Sequence, residues 1–286
     1  MVTRTDGRLD LSGSDVPTEQ AAVLGNLLST TADVTQLCLN DCLLSEDALK
    51  ALCLGLCLNT SVELLELRGN NVRGPGTEHL ATLLKKNGRL RALTLEWNNL
   101  GLSPPSFRVF ADALRTNRGL TSLDLRSNQL DHQCAAYVAR AVASNRHLSH
   151  LDLRWNGVGV LGGRSLVDAL QANRSLTSCP VDGNALPPDL AQAIALRVRN
   201  NQELLESERH QATERSLLTA QIQVDGVFRT LETERASFSG VQADLTFQLG
   251  QLQEALEERK AAAQLLTSKL SATTAKLETT EKDSLE

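Results

Sequence analysis

Leu90-Arg-Ala-Leu93-Thr-Leu95-Glu-Trp-Asn98-Asn-Leu100 returns 30 residues later as Leu120-Thr-Ser-Leu123-Asp-Leu125-Arg-Ser-Asn128-Gln-Leu130. Outward from these two stretches, asparagine or a small stand-in recurs at Ser14, Cys42, Asn70, Asn98, Asn128, Asn156 and Asn184, at spacings of 28, 28, 28, 30, 28 and 28. A fixed period of this length marks a solenoid, in which each unit buries its apolar face only by stacking on the next. In a short parallel strand alternate residues face one side, so Leu93 and Leu95 turn inward while Thr94 and Glu96 face outward. The asparagine then leaves the strand in a turn, where its amide satisfies backbone groups that would otherwise be buried unpaired; Cys42 is a small substitute.

The frame L-x-x-L-x-L-x-x-N/C-x-L is that of leucine-rich repeats. The second half of each unit reads as a helix, from Leu80, Leu83 and Leu84 or from Ala139 and Val142. A further series, Asn59, Asn87, Asn117, Asn145 and Asn173, at spacings of 28, 30, 28 and 28, predicts helix ends capped by asparagine in the left-handed region. The sole length defect, Pro104-Pro105, predicts two residues inserted in a loop without breaking the sheet. The expected class is α/β, a ribonuclease-inhibitor-like solenoid of about 28 residues per repeat at 1–190. A connecting helix at 191–202 and a coiled coil at 203–286 follow.

Composition divides the chain at the same place. All seven prolines lie at or before Pro188, and only three glycines follow Asp189, which predicts a long helix. Net charge is −5 overall, about −1 for residues 1–190 (18 basic, 19 acidic) and −4 for the rest (11 basic, 15 acidic), so no nucleic-acid partner is expected. No basic-then-apolar segment opens the sequence, and the longest apolar run, Leu52 to Leu58, includes Gly55; neither a signal peptide nor a membrane partner is expected. The sequons Asn59-Thr-Ser and Asn173-Arg-Ser read as chance matches, since both asparagines already mark helix ends. Cys38, Cys42, Cys53, Cys57, Cys134 and Cys179 read as free buried thiols rather than a zinc set, because Cys42 fills the asparagine slot.

Counting in sevens from Leu245 as a d position gives one uninterrupted frame from Leu217 to Leu277. Its seam holds Leu245, Leu249, Leu252, Leu256, Leu266, Leu270 and Leu277, and the stretch Leu245 to Leu256 is apolar at every core slot. Gly226, Gly240 and Gly250 fall outside the seam, whereas Gln221, Arg235 and Gln242 occupy core slots in its first part. Such a stripe predicts self-association through the tail.

Gly157-x-Gly159-x-x-Gly162 has the spacing of a dinucleotide fingerprint, yet it is in phase with the repeat, and Gly74 and Gly101 hold the same or neighbouring loop slots. No cofactor is expected, and neither H-E-x-x-H, G-x-x-x-x-G-K-[ST] nor G-x-S-x-G occurs, so a non-enzymatic role is expected. The register instead predicts a concave face. One outward column runs Asp10, Cys38, Glu66, Thr94, Asp124, Asp152, Pro180, and the next runs Ser12, Asn40, Arg68, Glu96, Arg126, Arg154, Asp182. Its plain reading is a ladder of surface ion pairs worth little each. Its sharper reading adds Trp97 and Trp155, the only tryptophans, in one repeat slot two repeats apart. Trp97, Trp155, Glu96, Asp124, Arg126, Asp152 and Arg154 are thus the candidate partner-binding residues.

The stretches Leu93-Thr-Leu-Glu-Trp-Asn98, Leu151-Asp-Leu-Arg-Trp-Asn156 with its continuation to Arg164, and Gly250-Gln-Leu-Gln-Glu-Ala-Leu-Glu-Glu-Arg259 closely resemble the leucine-rich repeat-containing protein 45 family. The resemblance runs from about Leu9 to Lys282 and keeps repeats and coil in the same order. It implies a cytoplasmic, centrosomal component of the fibrous linker between centrosomes, also acting at the ciliary base and held by other coiled-coil linker proteins. The family carries a longer coil, which leads to the expectation of a fragment or short isoform. The expected function is a scaffold with a protein-binding head and a self-associating tail; the competing expectation is a repeat-type inhibitor or activator of a nuclease or small GTPase.

Overall fold

The computed structural model describes the backbone of residues 3–5 and 7–283 and the side chains of residues 7–276. Leu37, Leu65, Leu93, Leu123 and Leu151 lie opposite one another across five parallel strands, β3 (Gln36–Cys38), β4 (Leu64–Glu66), β5 (Ala92–Thr94), β6 (Ser122–Asp124) and β7 (His150–Asp152). Before them β2 (Arg8–Asp10) pairs in parallel with β3. Leu93, Leu95, Leu123, Leu125, Leu151 and Leu153 are at most 1% exposed, as the alternation requires. Each strand is followed by a helix on the outer layer: α1 (Thr18–Thr30), α2 (Glu46–Leu58), α3 (Pro75–Lys86), α4 (Pro104–Thr116), α5 (His132–Ser144) and α6 (Gly159–Ala172). The core lies between sheet and helices as one continuous apolar cluster.

A strand the repeat did not announce, β1 (Thr3–Thr5), runs antiparallel to β2 and covers the first sheet edge. At the other end the seventh repeat bonds to the sixth through Leu151 N–H to Ser178 O (3.0 Å) and Leu153 N–H to Pro180 O (3.1 Å), while Pro180, which faces β7, has no N–H to give in return. On the helix side α1 and α2 approach until a Cβ on Gly55 would lie 2.0 Å from the Gly25 carbonyl oxygen, so only glycine fits there.

Two expectations about loops need correction. Pro104 and Pro105 are the first residues of α4, where a missing N–H costs nothing, and the extra length is taken up by a 3₁₀ turn at Leu100–Leu102. The sheet continues unbroken from β5 to β6. The helix-ending asparagines are not left-handed: φ of Asn59, Asn87, Asn117, Asn145 and Asn173 lies between −91° and −66°, in extended backbone. That conformation turns the side chain inward. Asn145 Nδ2 donates to Leu114 O (2.7 Å) and Asn117 O (3.2 Å) of the preceding unit, while its Oδ1 accepts from the N–H groups of His147 and Leu148 (both 2.8 Å).

The same ladder has one more rung. Asn201, 28 residues after Asn173, is 7% exposed and its Nδ2 donates to Asn173 O (3.1 Å) and Leu176 O (3.0 Å). It belongs to α7 (Pro188–Asp283), whose first turns also bury Ile194 completely. The segment 191–202, expected as a connector, is therefore helical but completes the seventh repeat and covers the end of the core. The chain divides into compact units at Met1–Arg209 and His210–Glu286. Asn201→Ala should raise hydrogen exchange in the amides around Ile194, corresponding to about 1–3 kcal/mol of local stability; unchanged exchange would show that apolar burial alone holds this cap.

Candidate functional site

The strands present their outward side chains on one face, and there the charges pair with each other. Arg126 Nε donates to Asp124 Oδ2 (3.0 Å) and its NH2 group to Asp124 Oδ2 (2.7 Å) and Glu96 Oε2 (3.2 Å), with Asp152 Oδ2 3.4 Å from Nε. Arg154 repeats the motif on Asp152, NH2 to Oδ2 at 2.6 Å. The hydrogen bond from each guanidinium to its aspartate raises the arginine pKa. Glu96, Asp124, Arg126, Asp152 and Arg154 are thus brought together, but as a self-satisfied ladder; Arg126 keeps 29% of its side-chain surface and Glu96 15%. Rim pairs of this kind contribute on the order of 0–1 kcal/mol each, which supports the plain reading of these five residues. Cys38 is buried in the same face, and desolvation, reinforced by Glu66, pushes its thiol up to about 11.

Trp97 and Trp155 stand apart from this ladder, in the turn that follows each strand rather than on the strand. They are 60% and 66% exposed, with φ of +54° and +57°. The same slot holds Gly13, Asp41, Gly69, Ser127 and Gly183, all with positive φ. A left-handed conformation costs a residue with a side chain about 1–2 kcal/mol, and is least expected of a bulky one. Glycine serves the turn in three repeats; two repeats carry instead the largest side chain and leave most of it in solvent. Burial does not explain that choice.

The two indoles border a shallow groove whose floor includes Asn99, Ser127, Gln129 and Gly157. Asn71, Asn99 and Gln129 form a chain of side-chain amide hydrogen bonds beside it. The Trp155 ring lies over Gly183, where a Cβ would come within 2.5 Å of Cε3. The groove therefore has aromatic walls and a polar floor. Replacing both tryptophans by glycine should leave the melting temperature within about 2 °C of the parent or raise it, because glycine relieves the left-handed backbone. A fall of 5 °C or more would identify the indoles as packing elements.

Periodicity does not mark this backbone conformation; its trace in the sequence is the glycine that recurs in the same slot, at Gly13, Gly69 and Gly183. The fingerprint-like glycines serve the repeat: Gly159 has φ of +58° at the start of α6, and Gly162 lies against Ala135 and Val158. Ser149 Oγ lies 2.9 Å from His150 Nδ1 but is bound to Thr121 O (3.0 Å), within the backbone of the preceding repeat. The cysteines are free, and five of them are buried. Cys42 Sγ donates to Leu11 O (3.2 Å), the bond an asparagine amide makes in other repeats.

Along α7 the described seam leucines are exposed to solvent. Leu245, Leu249, Leu252, Leu256, Leu266 and Leu270 are 54–70% exposed, and Leu277 lies outside the residues whose side chains are described. No helix among the described residues is long and apolar enough to cross a membrane.

A family model described as Leucine Rich repeat matches residues 144–167. The chain is 44% identical over 135 residues to leucine-rich repeat-containing protein 45 of Gallus gallus, a match covering 47% of this chain and 20% of that protein. The resemblance thus has a homologue behind it over 135 residues, and the chain matches about a fifth of that relative's length. Two solved structures are similar in part. One is leiomodin-1 actin-binding site 2 (TM-score 0.46, 16% identity, 70% of this chain and 95% of that one). The other is the tropomodulin C-terminal domain of Caenorhabditis elegans (0.43, 14%, 67% and 97%).

Proposed function

We propose that this chain, homologous to leucine-rich repeat-containing protein 45, is a non-enzymatic scaffold: a solenoid that docks a protein through the Trp97/Trp155 groove and a tail that self-associates as a coiled coil. The observation that carries the docking half is the pair of exposed indoles held on left-handed backbone. Tryptophan is enriched among residues that dominate binding energy, and here it is retained where glycine would serve the fold better. The tail half rests on the leucine stripe of α7, each leucine worth about 1.5–3 kcal/mol once covered.

The proposal takes its setting from the family resemblance of the sequence: the centrosome, in the linker between centrosomes and at the ciliary base, among other coiled-coil linker proteins. The test is the localisation in dividing cells of a tagged chain carrying Trp97→Ala and Trp155→Ala. Loss of centrosomal signal with an unchanged melting temperature supports the reading; retention of full signal removes the groove from it. The competing reading, a stoichiometric regulator of a nuclease or small GTPase, gives the leucine stripe no task.

A further inference from the structure

The connections from helices to strands form a continuous edge. Asn117 Nδ2 donates to Asn87 O (3.1 Å), Asn145 Nδ2 to Asn117 O (3.2 Å), and Asn173 Nδ2 to Asn145 O (2.9 Å), so four successive loops are bonded side by side. The loop residues 85–91, 115–121, 144–149 and 172–177 contain no aspartate or glutamate. They contain eight lysines and arginines. Lys85, Lys86 and Arg115 sit in the last helical turns, and Arg89, Arg91, Arg118, Arg146 and Arg174 lie beyond them; all are exposed.

Among the described residues, Arg89 is the one of the eight with a carboxylate partner, Glu63 of the preceding loop. Arg91 and Arg146 donate to the backbone oxygens of Gly119 (2.8 Å) and Ala172 (2.7 Å), which leaves their charge uncompensated. In a chain of net charge −5 this is a marked separation of charge.

The helix dipoles account for part of it. Four helix C-termini meet this edge, each equivalent to about half a negative charge, or roughly two charges in all. Eight cations against one carboxylate exceed that several-fold. The terminal carbonyls of three of these helices are moreover already bonded, as Leu84 O, Leu114 O and Val142 O accept from the asparagine amides.

We propose that this edge is a docking surface for an extended, carboxylate-rich polypeptide segment. Arg118, Arg146 and Arg174 occupy one slot in three consecutive loops, directly after Asn117, Asn145 and Asn173, and so offer one guanidinium per repeat. Repeats are spaced about 5 Å apart at the strands and about 8–10 Å apart at packed helices. Alternate residues of an extended chain, about 6.6 Å apart, fall between these limits. A shallow cleft between the second and third loops, lined by Arg115, Arg118, Arg146 and His147, gives the segment a seat. Nucleic acid fits less well: the four loops carry no Trp, Tyr or Phe on which bases stack. This surface is separate from the tryptophan groove and stands or falls independently of it.

The test is fluorescence anisotropy of the full chain with a labelled peptide of alternating Glu and Ser at low salt. Its Gln-Ser counterpart, a single-stranded oligonucleotide and phosphatidylserine vesicles serve as competing probes. Binding of the Glu-Ser peptide should weaken about tenfold or more in Arg118→Glu/Arg146→Glu/Arg174→Glu and fall with added salt. The double variant Arg118→Glu/Arg174→Glu, which keeps the Arg146 bond to Ala172 O, should show the larger part of the loss, and the Trp97→Ala/Trp155→Ala chain should bind as the parent does. Equal binding by parent and charge-reversed chains, equal binding of the Gln-Ser peptide, or tighter binding of the oligonucleotide or the vesicles would overturn the proposal.

Discussion

The full chain carrying Leu249→Glu and Leu256→Glu is expected to scatter light as a monomer at micromolar concentration, where the unaltered chain scatters as an oligomer. Both leucines are more than half exposed in the single chain, 57% and 54%, so the substitutions disturb nothing within it. In an assembled coil they enter an apolar seam as unpaired carboxylates. Each burial then costs several kcal/mol, in addition to about 1.5–3 kcal/mol lost with each leucine, and a dimer carries the change twice. The affinity should fall more than a thousandfold. The solenoid should melt as before, because its core ends with Ile194 and Asn201. A parent chain that is itself monomeric would remove self-association from the proposed function.

The second large effect concerns a buried amide in the head. Asn98→Ala should lower the stability of the solenoid by roughly 3 kcal/mol or more, measured by chemical denaturation. Asn98 Oδ1 accepts from the N–H groups of Asn70 (3.2 Å) and Val72 (2.8 Å), and its Nδ2 donates to Leu67 O (2.9 Å) and Leu95 O (3.0 Å). Removing the side chain leaves donors and acceptors of two repeats without partners in a site that is 2% exposed. Gln129→Ala, at an exposed member of the neighbouring amide chain, should cost under about 1 kcal/mol. Similar losses from the two variants would indicate that Asn98 acts within its own turn only.

Asn98 also shows the limit of reading one residue at a time. Its place in the turn follows from the period, since it recurs at fixed distance from two inward leucines. That its oxygen serves the repeat before it does not follow, because the period says nothing of which N–H groups in a neighbouring unit face the amide. The helix-ending asparagines make the same point. Their recurrence marked the ends of helices, but a left-handed cap was inferred from local chemistry, whereas bonding between units selected extended backbone. Asn201 stands at the same distance of 28 residues from Asn173, but it lies inside the long helix α7 and not at a helix end, so only its bonds to Asn173 O and Leu176 O mark it as a further rung.

For the candidate site, the tryptophans and the ion-pair columns were legible from register alone. Their relative weight was not. Arg126 and Arg154 look available in sequence and are engaged by Asp124 and Asp152 in space. Trp97 and Trp155 look like two more outward residues and are set apart by their backbone angles.

By itself the sequence determined the solenoid, its register, the inward leucines and the heptad spacing of leucines in the tail, because each is a matter of periodicity. Tertiary structure alone decided which charges are spent on one another, which turns hold strained backbone, and where the repeat stack ends. Those outcomes depend on how each repeat sits against its neighbours, and that is set only once the repeats have stacked.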